Sequence, residues 1–293
     1  MTDEASKVRC DVCFRRCELR EGQTGSCGAR KASGGRVLPR WYGRVSSLAL
    51  DPLEKKPLAQ FHPGSMILSV GGLGCNLRCP FCQNHEIAQA RPGQVFDVEA
   101  VEAAPEKLAV LADAYRSRNN IGLAFTYNEP LVCWEYVRDT AKLIHARGML
   151  NVMVTNGCAE TSILDRLSPH IDAMNIDLKG FTDRYYREVL GGDRQMVMAF
   201  IREAVRRCHV ELTTLIVPGE NDSEEEMRSL SEWIASLPNV HGGKQGCEIP
   251  LHISRFFPRH RMTDRQPTEV SIIDKLVKTA EKNLRYVYPG NCP

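Results

Sequence analysis

The sequence predicts an α/β fold around a parallel sheet, and three observations carry that prediction. Short apolar runs at 66–70, 121–125, 151–154, 171–176, 210–217 and 251–253 alternate with stretches of helical periodicity. The runs are too short and too continuously apolar for strands with one face in water, so they read as strands covered on both faces. Reactive residues gather at or just after the ends of these runs, where chemistry collects in parallel α/β folds. The length of 293 residues suits one large domain, or a main domain with an appendage.

The elements follow in order. The run at 66–70 stops at Gly71-Gly72. Pro105 suits the first position of a helix whose stripe is Leu108, Leu111 and Tyr115. A second helix after Pro130 sets Trp134, Val137, Ala141 and Ile144 on one face, and Gly148 closes it. The run at 151–154 stops at Asn156-Gly157. Turn and helix-start chemistry over 218–226 is structural. A last helix around 268–283 leads into a strand at 284–288. Residues 1–40 differ: they hold four cysteines, few large apolar residues, and nine Lys/Arg against five Asp/Glu. Such a stretch buries no core of its own and needs a metal or a neighbouring domain to organise it. We therefore divide the chain into an N-terminal element at 1–40, a connector at 41–65 and a main domain at 66–293.

Composition excludes several classes. With 38 Lys+Arg against 36 Asp+Glu, the formal charge of +2 gives no reason to expect nucleic acid. Mean hydropathy is −0.30, and no apolar run approaches the ~20 residues that span a bilayer. The opening residues are polar and lack the apolar centre of a secretory signal. These features predict a soluble cytoplasmic protein. Its twelve cysteines then read as metal or cluster ligands rather than cross-links.

Two cysteine groups stand out. Cys75, Cys79 and Cys82 have the spacing C-x3-C-x2-C on a glycine-rich loop after the first predicted strand. Three thiolates can hold three irons of a [4Fe–4S] cube and leave the fourth open for reaction. A zinc loop, with His85 three residues beyond Cys82, or three unrelated buried thiols are the plainer readings. Cys10, Cys13, Cys17 and Cys27, spaced C-x2-C-x3-C-x9-C, offer four soft ligands, as suits closed zinc or an auxiliary iron–sulfur cluster. Their spacing does not choose between the two metals.

The segment CNLRCPFC resembles the signature of the radical S-adenosylmethionine (SAM) superfamily, over about residues 66–290. DPLEKKPL, GCNLRCPFCQN, AFTYNEP, VTNG, IDLKG, IVPGEND, LHISRFFP and YVYPGN further resemble the radical SAM member of the AmmeMemoRadiSam system, a group similar to pyruvate formate-lyase activating enzymes. The resemblance implies a partial (β/α)6 barrel. It also implies reductive cleavage of SAM at the cluster to a 5′-deoxyadenosyl radical, which abstracts hydrogen from a substrate. By the same resemblance, Phe81 offers its backbone to the adenine and Glu129 meets the methionine ammonium. Thr155, Asp177 and Lys179 lie at SAM's polar groups, and His252 lies near SAM. Alternatives stay beside these roles: Glu129 as a helix start, Asp177 and Lys179 as a mutual ion pair, and His252 as a structural strand residue. Where the activating enzymes carry Asp-Thr-Asn-Gly, this chain has Val154-Thr155-Asn156-Gly157, so it lacks the carboxylate of their cation site.

Partners implied are a low-potential electron donor such as flavodoxin or ferredoxin, and a Memo-type protein. The substrate is not identified. Two rival functions remain: an activase that installs a glycyl radical on a partner enzyme, and a non-enzymatic iron–sulfur or zinc module.

Overall fold

A computed structural model describes residues 7–89 and 100–292. Its centre is an eight-stranded sheet: β1 (Ser47–Pro52), β2 (Met66–Gly71), β3 (Asn120–Thr126), β4 (Leu150–Thr155), β5 (Ala173–Asp177), β6 (His209–Ile216), β7 (Leu251–Arg255) and β8 (Val287–Gly290). Spatial order follows chain order from β1 to β8. β1 pairs antiparallel with β2, and every later pairing is parallel. The edge strands β1 and β8 do not pair with each other, so the sheet is not closed into a barrel.

Helices fill the crossovers: α1 (Pro105–Ala114), α2 (Trp134–His145), α3 (Thr161–Leu167), α4 (Arg194–Ala204), α5 (Glu224–Ala235) and α6 (Val270–Ala280). When each parallel strand is added on the same side of its predecessor, right-handed crossovers put every helix on one face. The packing agrees with that rule. Leu68, Val70, Leu123, Phe125, Met153, Met174, Ile176 and Leu212 face a single large core shared with the helices. The alternate residues Ile67, Ala124, Val152 and Ala173 face the other way and pack with Leu53 and Leu58.

Those two leucines belong to a plug that crosses the helix-free inner face. Near β1, Lys56 is buried and its Nζ donates to Asp51 at 2.8 Å. Midway, Asn175 Nδ2 donates to the Pro57 carbonyl at 2.8 Å. Beyond it, the amides of Ala59 and Gln60 donate to Glu211 at 2.9 and 2.8 Å, and Gln60 Nε2 reaches Tyr288 Oη on β8 at 3.1 Å. The stretch read as a connector therefore contains a sheet strand and the filling of the inner face. Its weakly alternating Leu48-Ala49-Leu50 gave little strand signal, because an edge strand is half exposed.

The N-terminal residues form two small antiparallel hairpins, Val8–Arg9 with Glu18–Leu19 and Arg30–Ser33 with Arg36–Pro39. They lie against the start of α2 through Arg30, whose guanidinium donates to both oxygens of Glu135 at 2.8 and 2.6 Å. Among the described residues, no helix is long and apolar enough to cross a membrane.

Candidate active site

The cysteine loop leaves β2 at Gly71 and is held at several points. Gly72 N donates to Asn128 Oδ1 at 2.8 Å, and Asn128 Nδ2 donates to the Gly74 carbonyl at 3.0 Å. Asn84 Nδ2 donates to the Tyr127 carbonyl at 2.8 Å. The Thr-Tyr-Asn-Glu-Pro turn after β3 thus works first as a clamp on the loop. Gly74 has φ +93°, and a Cβ there would stand 2.6 Å from the Cys27 carbonyl oxygen. That closeness lets Cys75 N donate to the same oxygen at 3.2 Å. The two cysteine groups, separate in sequence, are neighbours in space.

Donors point at the sulfurs of the loop. Leu77 N approaches Cys75 Sγ at 3.4 Å and Asn156 Nδ2 approaches it at 3.6 Å. Burial pushes the Cys79 thiol up to about 11 even though Lys179 pulls it down. Cys75 is raised further, by burial and by the charge of Glu129. Ligation would require these thiols to release their protons, which burial opposes and a bound metal would favour. Among the described residues, no three Cys, His, Asp or Glu side chains are drawn together tightly enough to form a ready ion cage.

Three strand ends face this loop. Glu129 is 2% exposed. Its Oε1 accepts from Thr155 Oγ1 at 2.6 Å and from Leu131 N at 3.0 Å, and its Oε2 accepts from Asn156 N at 2.7 Å. Burial raises its pKa to about 7 against these three donors, and Asp177 adds to the rise. The bond to Leu131 caps the 3-10 turn Pro130–Cys133, so the helix-start role is real as well. Asp177, the last residue of β5, accepts from Lys179 Nζ at 2.8 Å. Burial works against the Lys179 ammonium, yet Asp177 and Cys79 hold its pKa above the ordinary lysine range. Asn221, in the turn read as structural, donates to the Lys179 carbonyl at 2.8 Å.

Other expected residues fall elsewhere. Phe81 is buried with its ring edge-on to Phe256, 6.1 Å between centroids. His252 is not at a strand end, as the short apolar run had suggested. It is the second residue of β7, which continues through Ser254 and Arg255 by pairing with Leu215 and Ile216. The side chain is tied to Glu211 Oε2 at 2.7 Å and stacks on Tyr288. Cys10, Cys13, Cys17 and Cys27 come together around one small cavity that Arg30 and Val132 also line.

Sequence reasoning missed Glu211, Asp51 with Lys56, and the Asn76–Asn156 pair. Glu211 has no exposed side-chain surface. It accepts from both His209 and His252 besides the two plug amides, and these donors hold its pKa down to about 2 despite burial. A lone acid inside an apolar strand was the available signal. Asn156 Nδ2 donates to Asn76 Oδ1 at 2.9 Å, and Asn76 Nδ2 donates to the Cys158 carbonyl at 2.7 Å, which pins the cysteine loop to the end of β4.

The sequence profile of the radical SAM superfamily matches residues 70–230. An uncharacterized protein of Methanocaldococcus jannaschii is 38% identical over 290 residues, covering 98% of this chain and 82% of that protein. The chain belongs to the radical SAM superfamily. Pyruvate formate-lyase 1-activating enzyme of Escherichia coli is 24% identical over 170 residues, 57% of this chain and 68% of that enzyme. In fold, the chain resembles Streptococcus suis SuiB crystallised with S-adenosylmethionine, with a TM-score of 0.57 at 13% identity over 77% of this chain and 52% of SuiB.

Membership in the radical SAM superfamily implies a [4Fe–4S] cluster and SAM, and the residues present fit that group. The donor set is three soft thiols on one loop, with amide and ammonium groups beside them. The Tyr185 hydroxyl, fully buried in the π-helical segment Tyr185–Leu190, has no hydrogen-bond partner among the described residues and lies within electrostatic reach of Cys79 and Lys179. Such an orphan donor suits a sulfide or thiolate acceptor.

Proposed function

We propose that the chain holds a [4Fe–4S] cluster on Cys75, Cys79 and Cys82, binds SAM against it, and abstracts hydrogen from a substrate with the radical so produced. The observation that carries this reading is Glu129, a buried carboxylate fixed beside the cysteine loop by three neutral donors and, among the described residues, no hydrogen-bonded cation. The chemistry a bound cluster supplies is one-electron reduction of SAM's sulfonium, which releases methionine and a 5′-deoxyadenosyl radical.

The chain's own groups divide the remaining work. Glu129 accepts the methionine ammonium, and Thr155 with the Asn156 amide fixes its orientation. Lys179 meets SAM's carboxylate or ribose while Asp177 holds it in place. The backbone beside Phe81 meets the adenine, with the ring anchored on Phe256. His252 reaches SAM only by leaving Glu211, so in this reading it belongs to the frame. Water is kept from the inner face by the plug below the site.

A second reading, activation of a glycyl-radical enzyme, is favoured by the relation to pyruvate formate-lyase activating enzymes. A Memo-type partner and a low-potential flavodoxin or ferredoxin belong to the proposal on motif resemblance alone. Anaerobic reconstitution followed by reduction tests the core of it. We expect four irons on the cysteine loop, 5′-deoxyadenosine in the wild type, and loss of both in Cys79→Ala. A Cys79→Ala protein that cleaves SAM at the normal rate overturns the site. Stimulation of cleavage by a glycine-containing peptide selects the activase, and absence of SAM binding selects a non-enzymatic module.

A further inference from the structure

We propose that Cys10, Cys13, Cys17 and Cys27 bind a single thiophilic divalent cation of the Zn2+ class, and that this ion fixes the loop carrying Cys75, Cys79 and Cys82. The first half stands on the N-terminal element by itself. The second rests on the proposed cluster.

The ligands arrive from two places. Cys10 and Cys17 flank the tip of the first hairpin, where Cys10 N donates to the Cys17 carbonyl at 2.9 Å. Cys13 lies within that tip. Cys27 sits in the turn before the second hairpin, and Ala29 N approaches its Sγ at 3.5 Å. All four line one cavity, walled by Val12 and Val132. Strands of two and four residues cannot hold such a turn-rich element together by burial alone, so a metal is the available organiser.

Arg30 supplies an independent observation. It lines the same cavity and is 3% exposed. Its Nη1 serves Glu135 and its Nη2 donates to the Val37 carbonyl at 2.9 Å, but its Nε, also buried, has no partner among the described residues. A buried N–H without an acceptor costs about 1–3 kcal/mol. Four thiolates on a divalent ion carry a surplus of two negative charges, and a thiolate sulfur beside Arg30 would take that proton donor.

Size separates one ion from a second cluster. The cavity offers about 10 Å³, roughly the room of one water-sized atom. That is room for one tetrahedral ion once the four sulfurs draw in on it, since among the described residues they do not yet form a closed cage. A cube of four irons and four sulfides would have to displace Val132 and the Arg30–Glu135 pair from the flank of α2.

The element grips the catalytic loop from outside. Besides the Cys27 to Cys75 bond, Arg15 donates from Nε to the Asn76 carbonyl at 3.0 Å and from Nη2 to the Gly191 carbonyl at 2.7 Å. Glu160 N donates to the Val12 carbonyl at 2.9 Å. Each contact starts within two residues of an N-terminal cysteine. Loosening the element therefore frees the backbone of Cys75 and Asn76.

The test is metal analysis of anaerobically purified protein, before and after iron–sulfide reconstitution, on the wild type, Cys17→Ser and Cys79→Ala. We expect one zinc per chain in the wild type and in Cys79→Ala, and zinc reduced at least about tenfold in Cys17→Ser. Iron in place of that zinc, or full zinc in Cys17→Ser, overturns the ion. The wild type with zinc removed by a chelator serves if Cys17→Ser does not fold. Amide exchange at Cys75 and Asn76 should quicken at least about tenfold on zinc loss, and unchanged protection overturns the grip. Zinc without iron in the reconstituted wild type would sink the cluster and leave the ion standing.

Discussion

Glu129 and Glu211 are both buried acids that collect hydrogen bonds from neighbouring backbone, yet their pKa values move in opposite directions, to about 7 and about 2 from an ordinary 4.5. Glu211 receives four donors, two of them imidazole nitrogens, so both oxygens are doubly served. Glu129 receives three neutral donors, only one of them at Oε2, and has Asp177 in range. One carboxylate is finished by the fold and the other is left short of a positive charge. The first belongs to architecture and the second, in the function we propose, to a ligand.

The largest effect should come from breaking the finished site. Glu211→Ala leaves two imidazoles and two plug amides without their acceptor and should cost about 3–5 kcal/mol, read by guanidinium unfolding. Glu129→Gln should change stability by no more than about 1 kcal/mol at pH 8, because it removes a charge that burial disfavours. Equal losses in the two variants would erase the contrast. Glu129→Gln should instead weaken SAM binding at least about tenfold, the worth of one charge-assisted hydrogen bond, measured calorimetrically on the reconstituted protein.

pH sharpens the same comparison. The lowered pKa of Glu211 gives stability that is fully present above about 4.5 and is lost as pH falls toward about 2. The raised pKa of Glu129 acts the other way, since stability declines as pH rises from about 4.5 through about 7. On the proposed role SAM needs the ionised form, so its affinity should climb up to about pH 7 in the wild type and stay flat over that range in Glu129→Gln. A wild-type profile as flat as the variant's would remove Glu129 from the ammonium. The smallest expected change is Thr155→Val, which deletes the 2.6 Å bond and should lower SAM affinity by a few-fold, about 1 kcal/mol, with the pH midpoint moved upward.

The readable parts of this molecule were those with a local pattern. The cysteine triplet, Glu129, Thr155 and Asp177 each sit where a short apolar run stops, and the structure brings them to one end of the sheet. Pro105 and Gly148 mark the helix boundaries their backbone chemistry demands. The unread parts are long-range. Glu211 meets the plug across a separation of 152 residues, and no spacing rule connects a lone acid to two distant amides. His252 was misplaced because polar Ser254 and Arg255 hid the second half of its strand. The contact of Cys27 with Cys75 depends on a backbone approach that Gly74 permits, and a glycine beside Gly71 and Gly72 gave no sign of which one mattered.

The plug has a consequence for traffic. With Leu53, Leu58 and the buried Lys56–Asp51 pair stoppering one end of the inner face, the described chain leaves no passage along the strands at that end for a molecule bound beside the cysteine loop. A bulky guest that comes in over the loop meets that stopper and cannot thread past it.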